Sequence, residues 1–404
     1  MSSLLGVRFS GPLESYARGF ADELSRQGYN PVTGLKGQLF LAAHVSRWLA
    51  DRDLAPAALG SSGVAEEFFA DRRAMGYTNY RTVKALRPLL AYLRGLGVVG
   101  PAPVAEVPPA EALLERYRAY LTSERGLASA TARGYIDAVR SFVGERVIDS
   151  SDDLSGLTAA EVTAFVVATC PGQTQGSARM TVTALRSLLA YLHVAGILEE
   201  SLVAAVPSAA SWRLSGVPKG LEPGEVARLL ASCDRRTRTG RRDFAVLMLL
   251  ARLGLRAGEV AALELDDIDW RAGELTVRGK GGRHERLPLP DDVGRALVGY
   301  LQRGRPTTAT GREVFARVRA PLGPMTTRAV THVVFAAGKR SGLGTIHAHR
   351  LRHTAATQLL AAGAGLVEIG QLLRHRSQLT TTIYAKVDTE ALRTLARPWP
   401  GGVA

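Results

Sequence analysis

A chain of 404 residues is too long for one compact domain, so the sequence predicts two or three domains. Hydrophobic residues make up 46% of the chain and charged residues 22%, a balance typical of soluble globular proteins. The formal net charge of +14 indicates a polyanionic partner, most simply nucleic acid. The alternative, a basic protein that binds no polyanion, is disfavoured.

The cysteines and the hydropathy pattern exclude two further classes of protein. Cys170 and Cys233 lie in different predicted domains, so they imply no disulfide framework, and a reducing cytoplasm is the expected setting. We find no run of 18 apolar residues, and residues 1–6 lack the charged start of a secretion signal. We therefore expect neither a membrane span nor a signal peptide.

One segment of the chain occurs twice. Residues 82–93 match residues 181–192 at ten of twelve positions, and Gly97 and Gly196 keep the same offset of 99 residues. Two copies at so long a period indicate a duplicated domain and not a solenoid. Each copy is predicted to be a helical bundle of about 90–100 residues, with an apolar stripe at helical spacing.

Four cations lie off that apolar stripe: Lys84 and Arg87 in the first copy, and Arg179 and Arg186 in the second. They form either a solvated face or a face that contacts phosphates. The net charge favours the second interpretation, so these four are predicted DNA contacts.

Two breaks separate three predicted domains. Residues 101–109 are too rich in proline for a helix, and residues 207–223 hold several prolines and glycines. The predicted domains are therefore 1–100, 108–207 and 221–404.

The third domain is predicted to mix helices with strands. Helices are expected at 243–253, where Gly254 stops the helix, and at 256–263. Two strands at 274–278 and 285–289 follow, joined by a glycine-rich turn. The remainder is predicted to be helical to about residue 396.

Six residues of the third domain could together act on a phosphodiester: Arg256, Lys280, His349, Arg352, His375 and Tyr384. Two arginines, Arg256 and Arg352, can bind the non-bridging oxygens and stay charged at any working pH. His375 can add a third hydrogen bond to the same oxygens. His349 shares a helical face with Arg352, because the two are three residues apart.

The remaining groups suit proton transfer and nucleophilic attack. Lys280 could protonate the leaving oxygen, since nearby guanidinium groups should lower its pKa. Tyr384 could attack the phosphorus and become phosphotyrosine, and we expect nearby cations to lower its pKa as well. Glu259, three residues after Arg256, is expected to hold an arginine or a lysine in place.

A metal site is the alternative for the histidines His347, His349, His353 and His375. The local sequence offers arginines, which repel a cation, where a zinc site would offer acidic or cysteine partners. We therefore expect no metal and no cofactor.

Five motifs, in this order, resemble the tyrosine recombinase (phage-integrase-type) family: residues 254–259, 279–281, 349–354, 372–375 and 381–384. The resemblance implies that the six residues above are catalytic. Taken together with the repeat, the resemblance implies a fold that is mainly α, with two helical, SAM-like bundles of the core-binding type before a mixed α+β catalytic domain with a small antiparallel sheet.

The resemblance also implies a function. Residues 108–207 resemble the core-binding domain, which would clamp double-stranded DNA together with the catalytic domain. Four identical protomers would exchange strands through a Holliday junction, with sister recombinases or accessory proteins as further partners, on the bacterial nucleoid. Residues 388–396 would pack on a neighbouring protomer. The first domain, 1–100, departs from the family pattern as a second core-binding-type domain, and we expect it to contact DNA beyond the core site.

Two other functions stay open at this point. A type IB topoisomerase uses a nearly identical site, but the short segment after Tyr384 and the duplicated front favour site-specific recombination. A DNA-binding protein without catalysis is disfavoured, because loss of function would usually remove at least one of the six residues.

Overall fold

The computed structural model describes residues 2–101, 107–208, 220–279, 284–307, 309, 311–374 and 381–387. The chain forms two compact units, one of residues 1–101 together with 216–404 and one of residues 102–215. Across the described ranges, no helix is both long and apolar enough to cross a membrane.

The first domain begins with a hairpin that the sequence did not predict. Strands β1 (Ser2–Leu4) and β2 (Val7–Phe9) pair in antiparallel fashion through a two-residue turn. Both turn residues, Leu5 and Gly6, have positive φ, which matches the right-handed twist of a hairpin. Strands of three residues are too short to leave a periodic signal. Four helices follow: α1 (Ala17–Arg26), α2 (Lys36–Ala50), α3 (Ser62–Ala74) and α4 (Arg87–Gly95).

The second domain is a bundle of four helices: α5 (Pro109–Ala119), α6 (Ser129–Gly144), α7 (Ala159–Thr169) and α8 (Gln175–Val194). Helix α7 begins with a capping box, in which Thr158 and Glu161 each bind the other's backbone N–H. The four helices enclose a core of their own, separate from the core of the first domain.

The repeated sequence forms a helix in both domains, but the two helices differ in length. Helix α4 coincides with the C-terminal part of α8 at the offset of 99 residues, whereas α8 extends back to Gln175. Pro88 stands where α8 has Ser187. A proline lacks the N–H for the helical bond and clashes with the carbonyl four residues earlier, so it is tolerated only in a first turn. Helix α4 accordingly begins at Arg87.

Both repeated helices end in the same way. Gly97 and Gly196 adopt the left-handed conformation, with φ of 71° and 74°. The N–H of the next residue then reaches back into the helix, from Val98 to Leu93 O at 3.0 Å and from Ile197 to Leu192 O at 2.9 Å.

The third domain contains seven helices and a sheet within its described ranges. The helices are α9 (Pro223–Ala231), α10 (Arg238–Arg252), α11 (Ala257–Ala261), α12 (Asp291–Arg303), α13 (Thr327–Arg340), α14 (Ala348–Ala361) and α15 (Leu366–Leu372). The sheet has the order β3 (Ile268–Asp269), β4 (Glu274–Arg278), β5 (His284–Pro288), all antiparallel. Residues Thr382–Val387 form a 3-10 helix.

The two predicted strands are correct to within one residue. Their alternation buries Leu275, Val277 and Leu287 on one face, which fixes the register Leu275 opposite Leu287. The turn between them, residues 280–283, lies outside the described residues.

The two predicted helices of this domain exist but have different ends. Helix α10 begins at Arg238, five residues before the predicted start, because the Thr237 hydroxyl caps it by accepting the Gly240 N–H at 3.0 Å. Helix α11 ends at Ala261, not at 263, because the Leu263 carbonyl accepts the Val314 N–H at 2.8 Å. A contact so distant in sequence leaves no local signal.

Helix α10 is the centre of the third domain. Its residues 245–251 are all buried, and it packs against α12, α13 and α14. Helix α14 in turn carries α15 and the 3-10 helix, and these form a small core of Ala356, Ile369, Leu373 and Tyr384. The packing of α14 therefore places α15 and the 3-10 helix near the turn before α11.

Candidate active site

Glu259 joins two arginines that are far apart in sequence. One carboxylate oxygen accepts Arg256 Nη1 at 2.7 Å, and the other accepts Arg374 Nη2 at 2.7 Å and the Arg256 backbone N–H at 2.7 Å. Burial by itself would raise the pKa of Glu259, but the Arg256 backbone bond and the two guanidinium groups lower it overall. Glu259 is therefore a buried anion, and it is bonded to both the backbone and the side chain of Arg256 at the start of α11.

The Arg256 side chain remains accessible although one end is anchored. It is 45% exposed, whereas the Glu259 side chain beside it is 6% exposed. A guanidinium has five N–H donors, so the bond to Glu259 leaves others for an anion.

Arg352 is buried and is held in place by two backbone carbonyls. It is 1% exposed, and its Nη1 donates to the Gly254 carbonyl at 2.6 Å while its Nη2 donates to the Leu373 carbonyl. Burial, together with repulsion from Arg256 and Arg374, lowers the pKa of Arg352 to about 10, so it stays charged at neutral pH. These two carbonyls belong to the turn before Arg256 and to the end of α15, so Arg352 ties both segments to α14.

Two histidines of α14 lie close to Arg352, and one of them contacts Tyr384. The rings of His349 and His353 lie 4.4 Å apart and nearly perpendicular. His353 Nδ1 lies 2.8 Å from the Tyr384 hydroxyl oxygen. Burial lowers the pKa of His349, and Arg352 and Arg256 lower it further, so the imidazole is neutral at physiological pH.

The expected effect of the cations on Tyr384 is outweighed by burial. The side chain is 1% exposed, and this burial raises its pKa, while the nearby Arg352 offsets only part of the rise. The predicted net lowering of the Tyr384 pKa was wrong, because the cost of burying a phenolate exceeds its attraction to one guanidinium.

The structure brings together four of the six predicted site residues and Glu259. Arg256, Arg352 and Tyr384 are linked by the hydrogen bonds described above, and His349 joins them through its ring contact with His353. Lys280 and His375 lie outside the described residues.

Two residues of the site were not assigned a role from the sequence. Arg374 is buried against Glu259, and His353 contacts the Tyr384 hydroxyl. Each lies next to a predicted site residue, Arg374 before His375 and His353 after Arg352. Each also lies within one of the five motifs, but its partner, Glu259 or Tyr384, is distant in sequence, so no local pattern indicated the contact.

The four predicted DNA contacts differ in their surroundings. Lys84, Arg87 and Arg179 are exposed. Arg186 is half-buried and donates to the Val206 carbonyl at 2.8 Å and to the Ser208 hydroxyl at 3.1 Å, which attaches the chain after the bundle to α8. DNA contact by these four residues stays a prediction.

Among the described residues, no group of three or more histidine, cysteine or acidic side chains is arranged to hold a metal ion. The histidines of α14 lie instead beside Arg352, whose charge disfavours a cation.

Comparisons with known proteins show the family to which the chain belongs. The model of the "Phage integrase family" matches residues 219–391, and that of the "Phage integrase, N-terminal SAM-like domain" matches residues 114–196. The protein named integrase/recombinase y4rA, from Sinorhizobium fredii, is 41% identical and covers 97% of this chain and 95% of its own length. Tyrosine recombinase XerD of Mycobacterium tuberculosis is 34% identical over 71% of this chain and 96% of its own. The chain is a tyrosine recombinase of the phage integrase family.

The fold of the recombinase is also found in a solved structure. A lambda integrase tetramer bound to a Holliday junction matches with a TM-score of 0.51 at 19% identity, over 76% of the recombinase and 86% of that chain. This likeness confirms the predicted mainly helical fold with its small antiparallel sheet. Both family matches begin after residue 113, whereas y4rA covers almost all of the recombinase, so the first domain has a counterpart in that relative.

Proposed function

We propose that the recombinase cleaves and rejoins specific DNA sites through a 3′-phosphotyrosyl intermediate at Tyr384. The observation that carries this proposal is the convergence of a phenol, two arginines and a histidine from three separate segments. Tyr384 lies against α14 through His353, α14 supplies His349 and Arg352, and Arg352 is bonded to the turn before Arg256.

Each group has a role in the proposed reaction. Arg256 and Arg352 neutralise the charge that develops on the non-bridging phosphate oxygens, and their fixed positions avoid reorganisation during the reaction. His349 and His375 add hydrogen bonds to the same oxygens. Tyr384 attacks the phosphorus and the 5′ oxygen leaves, with Lys280 as its proton donor. In the rejoining step a 5′ hydroxyl attacks and Tyr384 leaves. The proposed chemistry uses only side chains of this protein.

The proposed assembly is four copies of this chain on two double-stranded DNA sites, with strands exchanged in pairs through a Holliday junction. The matched lambda integrase structure, a tetramer on such a junction, supports this arrangement by analogy of fold. The net charge of +14 supports binding to DNA. We expect the protein to act in the bacterial cytoplasm, where its substrate is.

The test is covalent trapping on DNA. Genomic DNA that flanks the gene would be incubated with the protein, the attached strands mapped, and a nicked substrate made from the mapped site so that the intermediate cannot be rejoined. Wild-type protein should give a covalent adduct at Tyr384. Tyr384→Phe should bind the same DNA and form no adduct, whereas Tyr77→Phe, at an exposed tyrosine of the first domain, should behave as wild type.

Two results would contradict the proposal. An adduct that persists in Tyr384→Phe would place the nucleophile elsewhere. Relaxation of supercoiled DNA that lacks the mapped site, without recombination between two copies of it, would indicate a topoisomerase activity.

A further inference from the structure

We propose that His353 accepts the proton of the Tyr384 hydroxyl when Tyr384 attacks DNA, and returns it when the strand is rejoined. The inference rests on the proposed role of Tyr384 as nucleophile. It adds a catalytic residue that contacts the reacting oxygen itself.

The geometry places His353 where a proton acceptor must be. Its Nδ1 lies 2.8 Å from the hydroxyl oxygen of Tyr384, within hydrogen-bond distance, and the two rings are 5.6 Å apart at 58°. The hydroxyl lies inside the protein, since Tyr384 is 1% exposed. Bulk water is thus poorly placed to take the proton, and a protein group in contact with the oxygen is favoured.

The surroundings keep His353 neutral and able to accept. Burial, the neighbouring His349 and the charge of Arg352 lower the pKa of His353 to about 4. Those two groups lie on α14 itself, and Tyr384 faces the ring from the 3-10 helix. A neutral imidazole that accepts at Nδ1 carries its own proton on Nε2.

The proton transfer must accompany the attack. The pKa of Tyr384 is raised above 10.0 and that of His353 is about 4, so free phenolate would be very rare at neutral pH. As the bond from the Tyr384 oxygen to phosphorus forms, that oxygen becomes much more acidic and its proton passes to Nδ1. The phosphorus–5′ oxygen bond breaks, and the leaving oxygen takes a proton from the general acid. The approaching phosphate also stabilises the imidazolium.

The same balance holds in reverse. When the 5′ hydroxyl attacks the phosphotyrosine, it returns its proton to the deprotonated general acid, and the departing Tyr384 oxygen takes the proton back from Nδ1. His353 then returns to its neutral form, ready for the next strand.

The experiment compares two substitutions at His353 in the full-length protein on the trapping substrate described above. His353→Asn retains an acceptor atom near the position of Nδ1 but cannot take up a proton, whereas His353→Ala removes both functions. If His353 accepts the proton, both variants should bind DNA normally and cleave about 100-fold more slowly, as is typical for loss of a general base. His193→Asn, at an exposed histidine whose Nδ1 bonds the Leu198 carbonyl, is the control and should cleave as wild type.

The pH dependence separates proton transfer from positioning. The wild-type cleavage rate should level off at neutral pH, and the rate of His353→Asn should rise about tenfold per pH unit as hydroxide or phenolate substitutes for the missing base. If His353→Asn matches wild type in rate and pH profile, His353 only positions the hydroxyl and the proposal is overturned. Tyr384→Phe tests the nucleophile separately, so failure of one proposal is distinguishable from failure of the other.

A measurement on unsubstituted protein covers the case in which the variants do not fold. Nitrogen-15 NMR of the histidines reports which ring nitrogen of His353 carries the proton. A proton on Nε2 with an unprotonated Nδ1 is the expected result. A proton on Nδ1 would contradict the proposal, because that nitrogen could not then accept another.

Discussion

Glu259 shows how one side chain can decide the position of several others. It is buried, and its two carboxylate oxygens accept hydrogen bonds from the side chains of Arg256 and Arg374. Arg374 is buried as well, and it adopts a left-handed backbone conformation with φ of 54°. Such a conformation is unfavourable for a residue with a Cβ, so the bond to Glu259 contributes to holding the chain in the turn after α15.

Removing Glu259 should therefore be costly. Glu259→Ala leaves the buried Arg374 guanidinium without its carboxylate, and loss of one partner of a buried pair typically costs about 3–5 kcal/mol. We expect the free energy of unfolding of the third domain, measured in urea, to fall by about that amount.

The matched control is Glu264→Ala. Glu264 also binds an arginine, Arg278, at 2.7 Å, but both side chains are 36% exposed and Arg278 keeps Asp267 as a second partner. A loss below about 1 kcal/mol is expected there. Equal losses for the two variants would show that burial of the Glu259 pair has no special role.

For single residues, the sequence indicated which side chains could act in the site, but not how buried each one is. The chemistry of Arg256, Arg352 and Tyr384 could be named from their motifs, but the pKa of Tyr384 moves in the direction opposite to the prediction. Burial of that side chain results from the packing of the 3-10 helix on α14, which no local pattern of residues reveals.

At the scale of the element, the repeated helices α4 and α8 show how a single substitution shortens a helix. The two segments share most of their residues and the same glycine-terminated end. The difference at Pro88 and Ser187 decides where each helix begins, because proline cannot occupy a helix interior.

This difference predicts unequal effects of exchanging the two residues. Ser187→Pro should interrupt α8 near its middle and destabilise the second domain by about 3 kcal/mol. Pro88→Ser should change stability by less than about 1 kcal/mol, since position 88 lies in the first turn of α4. Thermal unfolding of the full-length variants, followed by circular dichroism, measures both. Similar melting curves for the two variants would contradict this account.

At the scale of the whole molecule, the first domain is the part that the family pattern does not explain. It has a core of its own, and the exposed Lys84 and Arg87 lie at the start of its repeated helix. We retain the hypothesis that this domain contacts DNA beyond the core site.

Footprinting tests this hypothesis. The full-length protein should protect a longer stretch of DNA than a truncated protein of residues 101–404. Lys84→Glu combined with Arg87→Glu in the full chain should shorten the footprint. It should also make the slope of log binding constant against log salt concentration less steep, by about 0.9 for each lost phosphate contact. Arg18→Glu, an exposed arginine of α1 outside the repeat, is the control. An unchanged footprint in both the truncated and the charge-reversed protein would leave the domain a role in protein contacts.

The sequence by itself determined the class of fold and the two strands of the sheet in the third domain, because hydrophobic periodicity and short motifs are local properties. It also determined that a helical segment is duplicated. Only the tertiary structure decided that Glu259 joins two arginines, that Arg352 is fixed by two backbone carbonyls, and that His353 contacts the Tyr384 hydroxyl. Each of these contacts joins residues from segments that the packing of α14 brings together, and the burial that results sets their pKa values.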